Sequence, residues 1–129
     1  MLTDEQKTIV NRIKDDMTEI NRGNTSTCRT YFLDGPRGSG KTMCYNTIIS
    51  CFWAKDEVVA QSAWTAIAAT LLNGGRTVHN LFKLPVPLQE NSVCNLKHSS
   101  AQAEYLRSVS LFIIDEASMV PSLALEAID

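Results

Sequence analysis

Apolar residues at Ile9, Val10, Ile13, Met17 and Ile20 are spaced by threes and fours, a stripe that predicts an amphipathic helix near the start of the chain. Thr3 and Gln6 have the spacing of a capping box, Asp4 and Glu5 suit the positive end of the helix dipole, and Gly23-Asn24 stops the element. The pattern then changes. Thr30-Tyr31-Phe32-Leu33 predicts a short buried strand, and Lys41 to Trp53 predicts a helix. Glu57-Val58-Val59-Ala60-Gln61 predicts a second strand, and Thr65 to Leu72 a short helix broken by Asn73-Gly74-Gly75. Arg76 to Phe82 has room for one more helical turn. Pro85 to His98, rich in Pro, Asn, Ser and mixed charge, predicts an irregular surface loop, after which Ser100 caps a helix through Arg107. Leu111-Phe112-Ile113-Ile114 is apolar throughout, as a central strand buried on both faces would be. Strands alternating with helices in this order describe an α/β fold, a parallel sheet with right-handed crossovers.

Composition narrows the class. A chain of 129 residues, 44% hydrophobic and 20% charged, fits one soluble globular domain or part of one. The formal net charge of −2 gives no overall basic field, which weighs against nucleic-acid binding by the whole surface but permits a local basic groove. Cys28, Cys44, Cys51 and Cys94 form neither a C-x-x-C pair nor a regular framework, the pattern of reduced thiols in a cytosolic or nuclear protein. Cys94 and His98 offer too few ligands for zinc. The most apolar stretch, Ala63 to Leu72, is too short and too polar to span a bilayer. The acidic opening Met1-Leu2-Thr3-Asp4-Glu5 reads as neither a signal nor a transit peptide.

The chemistry is concentrated in two places. Gly35-Pro36-Arg37-Gly38-Ser39-Gly40-Lys41-Thr42 matches the phosphate-loop pattern G-x-x-x-x-G-K-[ST] at every fixed position, between a predicted strand and a predicted helix. A loop so placed aims backbone N–H groups at one spot, where the helix dipole also favours an anion. Gly35, Gly38 and Gly40, with Ser39 between the last two, let the backbone curl close to the phosphates of a nucleoside triphosphate. Lys41 then reaches the β- and γ-phosphates, the Thr42 hydroxyl ligates Mg²⁺, and Arg37 is a solvated loop charge. The second place is Asp115-Glu116, after the predicted central strand, at the carboxyl edge where open α/β sheets bind ligands. Asp115 would hold Mg²⁺, usually through a water, and Glu116 would orient and polarise the attacking water. Capping of the next helix is the other reading of this acidic pair, and the loop upstream disfavours it.

Leu2-Thr3-x-x-Gln6, Asp34-Gly35-Pro36 through Thr42, Thr65-Ala66-Ile67-Ala68-Ala69, Gly74-Gly75-Arg76-Thr77-x-His79 with Phe82-Lys83-x-Pro85, and Ile114-Asp115-Glu116-Ala117-x-Met119 occur in one order over nearly the whole chain. In these residues the sequence resembles the petite-integration-frequency (PIF-type) DNA helicases of superfamily one, especially the helicase part of Helitron rolling-circle transposon proteins. The resemblance implies a P-loop NTPase fold with a RecA-like parallel sheet. Residues 1–129 would be part of the first motor domain of an ATP-driven helicase moving five-prime to three-prime on single-stranded DNA. ATP and Mg²⁺ would bind at the loop, with Lys41 and Glu116 catalytic. Gln6, which pattern alone assigns to capping, would read adenine through its side-chain amide. The segment Ser62 to Ala69 would touch the DNA backbone, with Ser62, Trp64, Thr65, Arg76 and His79 as contacts.

The sequence also departs from the family. Ala66 stands where a Gly is usual, which puts close approach to DNA in doubt. Trp64 is either a platform for a base or an ordinary half-buried aromatic, and Phe82 reads as core. Family members continue into a second RecA-like domain that carries arginine fingers and the other wall of the DNA groove. The chain stops at Asp129, so that domain is expected to be absent, as is the strand that normally separates the acidic strand from the loop strand. An incomplete sheet follows, with a gap unless those two strands close together or another chain fills it, and a fragment that does not unwind DNA alone. Roles in repair, recombination and telomere maintenance, and residence in the nucleus with the mitochondrion as alternative, are implied by the family only. Two other functions stay open: a P-loop ATPase that is not a helicase, and a non-catalytic remnant that binds a partner.

Overall fold

The N-terminal stripe folds as predicted. In the computed structural model, which describes residues 3–24, 27, 29–33, 40–87 and 89–128, helix α1 is Asp4–Asn21. Oγ1 of Thr3 accepts from the Gln6 N–H at 3.3 Å, and Oε1 of Gln6 accepts from the Thr3 N–H at 2.9 Å. These bonds satisfy N–H groups that no helical carbonyl can reach. Val10 is buried, and Ile9, Ile13, Met17 and Ile20 are half-buried. Gly23, at φ +86, takes the left-handed conformation that ends the helix. Replacing Thr3 by Ala should lower stability by about 1 kcal/mol, measurable by chemical denaturation followed in the far-ultraviolet circular dichroism.

Helix α2, Lys41–Trp53, has its predicted bounds and buries Cys44, Ile48, Ile49 and Phe52. The chain divides into two units, 1–48 and 49–129, and the division falls inside this helix. Burial pushes the Cys44 thiol up from its ordinary pKa, so it acts as a small packing group and not as a nucleophile. The strand expected at Thr30–Leu33 does not form: residues 29–33 are neither strand nor helix, and Phe32 is 77% exposed. Its Tyr31 hydroxyl instead reaches the Asp16 carboxylate on α1. A short apolar run becomes a strand only where a neighbour supplies the ladder, and the described sheet is formed entirely by residues after Val58.

The second unit holds that sheet. Strand β1 (Val59–Ala63) is followed by α3 (Ala66–Leu71), β2 (Arg76–Thr77), α4 (Val78–Phe82), α5 (Ala101–Arg107), β3 (Leu111–Asp115), a 3-10 turn (Ala117–Met119) and α6 (Ser122–Ile128). All strands are parallel, in the order β2-β1-β3. The central strand is therefore β1, and all five of its residues are buried. It runs two residues beyond the predicted end, and two of its buried polar groups find partners, though Oε1 of Gln61 has none among the described residues. The Ser62 hydroxyl donates to the Ile113 carbonyl at 3.0 Å, and Nε2 of Gln61 donates to the Asn73 carbonyl at 2.5 Å.

β3, expected at the centre and buried on both faces, lies instead at an edge of the described sheet. Only Ile113 of it is buried, and Phe112 is 45% exposed. Its apolar run sufficed for a strand but not for a central one. β2 escaped the sequence reading because two residues carry no period. The core on one face joins Ala60 of β1 to Val78, Leu81 and Phe82 of α4, Leu84, Val120, and Ala124 of α6. Phe82 is buried there and stacks on Phe112 with ring centroids 5.8 Å apart, a packing role. Among the described residues no helix is long and apolar enough to cross a membrane.

Candidate functional site

Parallel register places three strand ends in one row. Ala63 pairs with Thr77 of β2 and with Asp115 of β3, so the segments after these residues emerge at a single carboxyl edge. Glu116 is the first residue beyond β3 and takes φ 58. That conformation costs a residue with a Cβ about 1–2 kcal/mol, and hydrogen bonds offset it. The Glu116 N–H donates to Oδ1 of Asp115 at 2.8 Å, while its own Oε1 accepts from the Thr65 N–H at 2.8 Å and from the Thr65 hydroxyl at 2.9 Å. Glu116 makes no side-chain cap to the 3-10 turn that follows, so capping is not what this carboxylate does.

Thr65 is the N-cap of α3, with Oγ1 accepting from the Ala68 N–H at 3.3 Å. Its hydroxyl thus accepts from one element and donates to another. Sequence reading singled out Thr65 and Glu116 separately and missed their contact, for which a separation of 51 residues leaves no local signal.

The other expected DNA contacts divide. Ser62 is corrected: it is fully buried and its hydroxyl is spent on Ile113, so it faces no ligand. Trp64 is half-buried against the core, with the His79 ring tilted 45° across it at 4.6 Å. Arg76 lies over α5, its guanidinium 5.7 Å from the Tyr105 ring centroid and 3.5 Å from Oε1 of Gln102. Beside it, an open cleft of about 440 Å³ is lined by Thr77, His79, Asn80, Lys83, Leu84 and Asn95. Lys83, at φ 54 in the C-cap of α4, and Asn80 were not assigned from sequence, though Lys83 stands within the Phe82-Lys83-x-Pro85 signature.

In the first unit, Asp34 to Ser39, and with them the expected contacts Gly35, Gly38 and Ser39, lie outside the described residues. Gly40 is described at φ +84, where glycine alone is unstrained, and a Cβ there would lie 2.4 Å from Nε2 of Gln6. The amide that caps α1 therefore lies beside the last glycine of the loop. Lys41 and Thr42 open α2 and are half-buried. The hydroxyl of Thr42 in the first unit and the carboxylate of Asp115 in the second are each hard oxygen donors of the kind Mg²⁺ takes.

The model of the PIF1-like helicase family matches residues 1–129. The ATP-dependent DNA helicase Pif1 of Psychrobacter sp. (strain PRwf-1) is 34% identical over 105 residues, covering 80% of this chain and 16% of that protein. The ATP-dependent DNA helicase PIF4 of Trypanosoma brucei brucei (strain 927/4 GUTat10.1) is 32% identical over 102 residues, 76% of this chain and 12% of that one. The crystal structure of Pif1 helicase from Bacteroides in complex with ADP-AlF3 and ssDNA superimposes with a TM-score of 0.76 at 34% identity, covering 100% of this chain and 27% of the other. The chain thus spans less than a third of the length of each of these relatives.

Proposed function

The chain belongs to the PIF1-like helicase family, and from that membership we propose that it is part of the first motor domain of an ATP-dependent DNA helicase moving five-prime to three-prime on single-stranded DNA. The observation that carries this reading is the placement of Asp115 and Glu116 at the carboxyl edge of a parallel sheet, tied to Thr65 of the expected DNA-contact segment.

In this reading the loop amides hold the triphosphate and Lys41 stabilises negative charge on the transferring phosphoryl group. Thr42 and Asp115 would hold Mg²⁺, which when bound neutralises phosphate charge. Glu116 orients and polarises the attacking water. The Gln6 amide, with one donor and one acceptor side, matches the edge of adenine. Thr65, Arg76 and His79 contribute to the DNA side, and Lys83, Asn80 and Asn95 extend it through the cleft they line. The family resemblance implies a second motor domain that would supply the arginine finger and the facing wall of the DNA groove. Service in repair, recombination and telomere maintenance or in Helitron transposition, and residence in the nucleus rather than the mitochondrion, extend the proposal on family resemblance.

The test is ATP turnover by the natural gene product with and without a single-stranded oligonucleotide. Turnover stimulated at least about fivefold, the low end of ordinary coupling between sites, is expected. Turnover indifferent to DNA would favour a P-loop ATPase that is not a helicase, and absent nucleotide binding would favour a non-catalytic remnant.

A further inference from the structure

Resting on that motor reading, we propose that Thr65 is a positioning residue that holds the Glu116 carboxylate until DNA engages the start of α3, so that hydrolysis waits for DNA. Thr65 has two hydrogen-bond donors, its backbone N–H and its hydroxyl, and both end on Oε1 of Glu116, at 2.8 and 2.9 Å. The accepting side of the hydroxyl is taken by the Ala68 N–H. A phosphate oxygen that binds at Thr65 can be served only by donors taken from Glu116. DNA contact and the restraint on the carboxylate are therefore mutually exclusive.

The mechanical setting suits such an exchange. On one side of Thr65 is β1, buried at every position and fixed by the Ser62 bond to Ile113. On the other is α3, six residues long, with Ile67 80% and Leu71 60% exposed. Thr65 stands where the rigid strand gives way to a short helix open to a partner. Glu116, at φ 58, is held by the two Thr65 bonds and by the bond from its own N–H to Asp115. Losing the hydroxyl bond alone leaves the carboxylate on a single donor and loosens it, and losing both frees it to turn towards water, while the third keeps the backbone in place.

The experiment compares wild type, Thr65→Val and Thr65→Ser in the natural gene product. It reads kcat and KM for ATP with and without a single-stranded oligonucleotide, and circular dichroism to check the fold. Thr65→Val should raise the DNA-free kcat about fivefold or more, shrink the stimulation ratio by a similar factor and leave KM for ATP unchanged. Thr65→Ser, which keeps both donors, should restore the wild-type ratio. Should the valine variant misfold, Thr65→Ala removes the same hydroxyl with less bulk and must show the same rise. An equal fall of kcat with and without DNA, or an unchanged ratio with weaker DNA binding, overturns the proposal while leaving the motor reading intact. A wild type whose ATP turnover ignores DNA overturns the motor reading, and the proposal with it.

Discussion

Glu116→Gln is expected to lower ATP turnover by about 10²- to 10⁴-fold, the range of a lost general acid–base group, with little change in stability. The prediction turns on what the substitution preserves. The amide oxygen of Gln can still accept the N–H and hydroxyl of Thr65, and the backbone N–H still donates to Asp115. The left-handed backbone costs Gln no more than it costs Glu. Only the negative charge goes, and with it the ability to polarise water. Steady-state kinetics and a thermal melt on one preparation of the natural gene product separate these effects. An unchanged kcat would remove Glu116 from the chemistry, and a collapsed melting temperature would make it a structural residue.

Gly75→Ala should destabilise the second unit by about 3 kcal/mol or more, the upper range for overpacking. A Cβ at Gly75 would lie 2.2 Å from the Ala69 carbonyl oxygen and 2.8 Å from Cβ of Leu72. The first of these is backbone in the last turn of α3, so relief requires moving that helix relative to β2. Gly23→Ala provides the contrast: nothing lies within 4 Å of its Cβ, and only the cost of φ +86 applies. That cost is about 1–2 kcal/mol. Chemical denaturation of both variants measures the difference, and equal losses would contradict the close approach of α3 to the turn before β2.

Several elements could be read without a structure because their signals are local. The Thr3–Gln6 capping box and the Ser100 cap of α5 each involve residues within four positions of one another, and the bounds of α2 follow from the residue types of its own run. The phosphate-loop motif and the acidic pair are equally local, since each is a short run whose chemistry is written in its own residues. Strand placement was less legible. The run at 30–33 was as apolar as a strand requires, yet the described sheet uses no residue before Val59. Leu111–Ile114 looked central and lies at an edge of the described sheet, whereas the strand expected over Glu57 to Gln61 spans Val59–Ala63 and is the central one of that sheet.

These outcomes share one cause. Helix caps, turns and ligand loops are decided by neighbours in sequence, because their hydrogen bonds close within one turn of chain. A strand's place in its sheet is decided by which distant segment supplies the ladder, and burial follows from that place. The same distinction governs the candidate site. Residue types alone indicated an acid after a strand and a threonine before a helix. Only the pairing of β1 with β3, Ala63 beside Asp115, brings Thr65 within 3 Å of Glu116 and turns two separate motifs into one hydrogen-bonded unit.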